Sequence, residues 1–117
     1  MKKPVHFYCE LYKENFYFLQ SDSVTDAQEY RIEEIEDSGQ HGYCFEVDGD
    51  EDEGIFIWVR EKGYQGLGGL VHECIHAANF VFKSRGVITT TGNDETMAYY
   101  VEWIFENCVK HIIRGKK

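Results

Sequence analysis

The chain has 117 residues, 43% apolar and 15% aromatic, which is enough for one hydrophobic core. Its formal net charge is -9 and its pI about 4.9, with only 12 lysines and arginines, scattered along the chain. That balance excludes a groove tracking phosphates or a patch drawn to anionic lipid, so neither nucleic-acid nor membrane binding is expected as a primary role.

A single proline, Pro4, and the lack of any Ser/Gly/Pro-rich stretch argue against a linker, so residues 1–117 read as one domain. The N-terminal stretch lacks the apolar centre of a signal peptide. No apolar run is long enough to span a bilayer. Cys9, Cys44, Cys74 and Cys108 form no CxxC pair. Reduced, buried thiols and a cytoplasmic setting are expected.

In chain order, "PVHFYCELY", a turn at "KEN" and "FYFLQ" predict a β-hairpin. "EYRIEEIE" is ambiguous, because Tyr30 and Ile32 suit a strand while Ile35 breaks the period. "GYCFEVD" alternates, with Phe45 and Val47 on one face. "GIFIWVRE" is apolar on both faces and should be covered on both sides. Between these last two, "DGDEDEG" spaces its aspartates like a calcium loop, but Glu53 and Val59 stand where glycine and glutamate are needed. A solvated hairpin turn is the better reading.

The second half predicts two helices. Apolar residues recur at 67, 70, 71, 74, 77, 78 and 81, a helical stripe from Leu67 to about Ser84. Gly86 stands at a C-terminal cap position. A second helix is predicted from about Asp94 to Ile113, with Asn93 as N-cap and Met97, Val101, Ile104, Phe105, Cys108 and Ile112 inward. The expected class is α+β: an antiparallel or mixed sheet of four to five strands, then two helices packed on one face.

The first helix carries "HECIH". At a spacing of four, His72 and His76 project from one face and can reach one metal ion. Zinc accepts imidazole nitrogen and prefers four ligands. Glu73 points beside the ion, where it can take a proton from an activated water. His72, His76, Asn79 and Lys83 form one polar strip. The bland alternative makes the histidines partly buried polar residues satisfied by neighbours such as Glu102. A third ligand has to come from elsewhere. Glu95 is 19 positions after His76 (95 − 76), early in the second helix, and small Ala98 follows on its face.

H-E-x-x-H followed by a helix bearing a glutamate with a small residue three positions on resembles the gluzincin metallopeptidases, and residues 66 to 105 look like short metallopeptidases encoded by bacteriophages. The resemblance implies a zincin-like fold, zinc held by His72, His76 and Glu95, and Glu73 as general base. It also implies a strand lining the substrate, for which "GIFIWVRE" is the candidate. There are departures. "NDE" inserts Asp94 before Glu95, and Tyr99 stands where the family has an acidic residue, so Glu102 becomes the candidate to orient a histidine. The family's C-terminal subdomain, the far wall of its cleft, has no counterpart here. Tyr99 and Tyr100 are candidates to donate a hydrogen bond to a tetrahedral intermediate, with aromatic packing as the alternative.

The expected function is zinc-dependent hydrolysis of a peptide, protein or small amide in a bacterial or phage-infected cytoplasm, with a protein partner as a candidate to complete the cleft. The alternative is a non-catalytic, zinc-stabilised module that binds a protein. An intact Glu73 favours catalysis, since a purely structural zinc has no use for a base.

Overall fold

The computed structural model describes residues 3–30, 35–48, 53–92 and 94–113. The fold is α+β, as expected. β1 (Val5–Cys9), β2 (Glu14–Gln20), β3 (Gly42–Asp48) and β4 (Glu53–Val59) precede α1 (Leu67–Ser84) and α2 (Asp94–Ile113). The strands form one mixed sheet in the order β1-β2-β4-β3. β1–β2 and β3–β4 pair antiparallel, whereas β2 and β4 pair parallel.

The hairpin turn falls on residues 10–13, two to three residues earlier than "KEN" (13–15) suggests, because Cys9 pairs with Glu14 and Asn15 is already in β2. Lys13 takes the left-handed conformation there, with φ 57°. Arg85, just past α1, satisfies the turn's carbonyls. Its guanidinium donates to Tyr12 O and Lys13 O and pairs with the Glu14 carboxylate at 3.3 Å.

Alternation in the strands gives the sheet two apolar faces. Phe16, Phe18, Cys44, Ile55, Ile57 and Val59 face the helices. Leu19, Phe45, Val47, Phe56 and Trp58 face the other way, under Val24, Ala27 and Ile35. A 3-10 helix over Val24–Tyr30 supplies two of these covering residues. Ile55 through Val59 are at most 2% exposed, which is why that strand reads as apolar throughout. Trp58 keeps its one polar atom satisfied by donating to Ser21 Oγ at 2.9 Å.

Both helices cover one face of the sheet. α1 packs on β3 and β4. α2 packs on β1 and β2, with Trp103 edge-on to Phe7 and Phe16. The helix limits match the expected ones. Residues 31–34 of the ambiguous stretch "EYRIEEIE", most of the acidic turn (49–52), the N-cap Asn93 and Arg114 lie outside the described residues. No helix among the described residues is long and apolar enough to cross a membrane.

A candidate metal centre on the first helix

α1 buries Leu70, Cys74, Ala77, Ala78, Val81 and Phe82. His72, His76, Asn79 and Lys83 are all exposed, so the polar strip lies in solvent. The histidines therefore pay no burial penalty that a metal must relieve. The buried polar member of the motif is Glu73, 6% exposed.

The two imidazoles nevertheless converge. His72 Nε2 and His76 Nε2 are 3.2 Å apart, with the rings tilted 77° to one another. Two nitrogens on a tetrahedral zinc, each at 2.0–2.1 Å, stand about 3.3–3.4 Å apart. The pair thus fits two corners of such an ion, and exposure leaves the ion a path in.

Glu73 sits on the flank of α1 that meets β3. It lies so close over Gly42 that a Cβ there would stand 2.7 Å from its Cγ and 2.9 Å from its Oε2. Glycine at 42 is what gives the carboxylate its room. Burial pushes the Glu73 carboxyl above its ordinary value, and adjacent His72 pulls it partly back. A carboxylate in that position is a better proton acceptor than one in water.

α2 does not come to this side. Phe82 stacks on Tyr100 with ring centroids 5.4 Å apart, the Cys74 and Cys108 thiols interact, and Ile112 lies beside Gly66. The helices are antiparallel, and His76 is level with about Phe105. Glu95 is ten residues from that level, roughly 15 Å along the axis. His72 and His76 also lie two positions either side of Cys74, so each points about 160° away from the side chain that meets α2. Glu95 and Glu102 are exposed on α2. Among the described residues no three His, Cys, Asp or Glu side chains stand together as a metal site. The structure brings His72 and His76 together, sets Glu73 on the adjoining buried flank of α1, and leaves Glu95, Glu102 and Tyr99 apart from them.

Tyr99 is 67% exposed and lines a cavity of about 630 Å³ between the β1–β2 turn and α2, with Tyr8, Leu11, Tyr12 and Trp103. Tyr100 is buried in the aromatic cluster with Tyr12, Phe82 and Trp103. The packing alternative holds for Tyr100.

Sequence spacing missed a neighbour of the site. His41, just before β3, lies against Gly69, one turn ahead of His72. A Cβ on Gly69 would be 3.5 Å from His41 Cβ. His41 Nδ1 is 3.0 Å from Glu61 Oε2. Nothing local in the sequence points to this contact, because the pairing of β3 with β4 creates it.

No family model matches the chain, and no curated protein or solved structure is significantly similar to it.

Proposed function

We propose that the protein is a zinc-dependent amide hydrolase, with His72 and His76 as metal ligands and Glu73 as general base. The observation that carries this reading is the 3.2 Å approach of the two Nε2 atoms on the face next to a buried carboxylate. When bound, zinc supplies Lewis-acid activation of water and of the substrate carbonyl. Glu73 accepts the proton of the attacking water and returns it to the leaving amine. Gly42 on β3 leaves that carboxylate its room.

An extended peptide is the substrate class this arrangement favours. β4 is central and has no free edge, so it is not the lining strand that its sequence suggested. β3 is the edge strand beside α1. The bond from Arg60 N–H to His41 O sets the ladder phase, so Gly42, Cys44 and Glu46 turn their backbone N–H and C=O outward. A peptide added along that edge would run past Glu73.

The test is metal analysis and peptide cleavage on protein purified without chelator. About one zinc per chain is expected. Glu73→Gln should keep the metal and the fold and lose cleavage. Folded wild type that neither holds nor takes up zinc would overturn the reading. Zinc binding without cleavage by wild type would leave the protein-binding module in its place.

A further inference from the structure

The pair on α1 supplies two ligands, and a catalytic zinc usually has three from the protein. We infer that His41 is the third, with Glu61 as the carboxylate that orients it; this rests on the zinc reading above.

Gly69 and His76 are seven positions apart, so they share nearly one azimuth on α1. Gly69 and His72 are three apart, about 4.5 Å along the axis. Long helical side chains lean toward the helix N-terminus. The two imidazoles therefore project over the turn that begins near Gly69, and that is the turn His41 abuts. Gly69 has no side chain to fill the space between, and Gly68 beside it has none either.

His41 also has the chemistry of a ligand. Its ring is 75% exposed and thus open to an ion. Its Nδ1 faces the Glu61 carboxylate, and a hydrogen bond there fixes the tautomer that leaves Nε2 free to bind metal. The other Glu61 oxygen, Oε1, is buried and has no hydrogen-bond partner. The ring does not stand in ligand position beside the pair. Reaching the ion takes rotation of the exposed His41 side chain with Glu61 following, while the backbone contact with Gly69 keeps both near.

α2 offers no competitor on this flank, for the reasons of helix geometry given above. A ligand set from α1 and the start of β3 also gives the metal a second element to hold. Binding would then tie the edge of the sheet to the helix that carries the base.

The experiment follows imidazole nitrogens by long-range proton–nitrogen NMR on the wild-type chain during zinc titration. The Nε2 signals of His41, His72 and His76 should shift together, while those of His6 and His111 stay. A shift confined to His72 and His76 at saturating zinc overturns the assignment but spares the zinc reading. No shift at all overturns both. As an independent measure, competition against a chelator should show His41→Ala losing more than the 10- to 100-fold expected for Glu61→Gln. A large loss on Glu95→Ala with none on His41→Ala also overturns the assignment.

Discussion

The two flanks of α1 are built for different ends. Toward α2, Cys74, Ala78 and Phe82 lie in a sealed apolar seam, none more than 3% exposed. Toward the edge of β3, Gly69, His72, Glu73 and His76 form a polar flank with one buried carboxylate. The seam stabilises the fold. The open flank costs stability, since Glu73 is buried and His72 offsets its desolvation only in part. One helix thus separates the seam that holds the molecule together from the flank proposed to carry the chemistry, and changes on one side should leave the other intact.

The largest expected effect is on the sealed side. Phe82→Ala removes the ring stacked on Tyr100 and edge-on to Tyr12, and should cost about 3–5 kcal/mol. Denaturant unfolding measures it. Zinc affinity of the folded variant should stay at the wild-type value, and a parallel loss of affinity would show that the flanks are not independent.

Gly42→Ala probes the open side. Its Cβ would collide with Glu73 Cγ, so carboxylate or strand must shift. The expected cost is about 1–3 kcal/mol, with cleavage lost and zinc affinity retained. Full cleavage by this variant would mean that the seat of Glu73 over Gly42 has no part in catalysis.

The smallest effect is a difference in rate. All four cysteines are free and buried, and burial pushes the Cys44 and Cys108 thiols up. Native protein should react slowly with a thiol reagent, and Cys44, on the edge strand, should be modified before Cys74 and Cys108. Mass spectrometry of partly labelled protein gives the order. Earlier labelling of Cys74 would place the weaker seam between the helices.

Much of this was legible in the sequence. The apolar stripe set the limits of α1, the doubly apolar "GIFIWVRE" identified a strand covered on both faces, and the four-residue spacing paired His72 with His76. The separation of Glu95 from the histidine pair was not legible, because a count of residues between two helices says nothing about which flank of the first helix the second one meets. One signal was present. His72 and His76 both lie nearly opposite Cys74, the middle of the stripe, so a helix packed on that stripe cannot reach them. The place of His41 depends on the long-range pairing of β3 with β4, and no local pattern encodes it.

The place of β4 in the middle of the sheet also dictates an order of events as the chain folds. β2 meets β4 in parallel across 39 positions (Phe16 to Ile55), a slow kind of contact to close. Until Val59 has been made, β2 has only β1 beside it, and β3 has no partner strand. The helices can form locally within microseconds, yet they have no surface to dock on before the central strand is in place. Synthesis therefore passes through an interval in which apolar strands are exposed and unpaired, and that is when this chain is most open to aggregation.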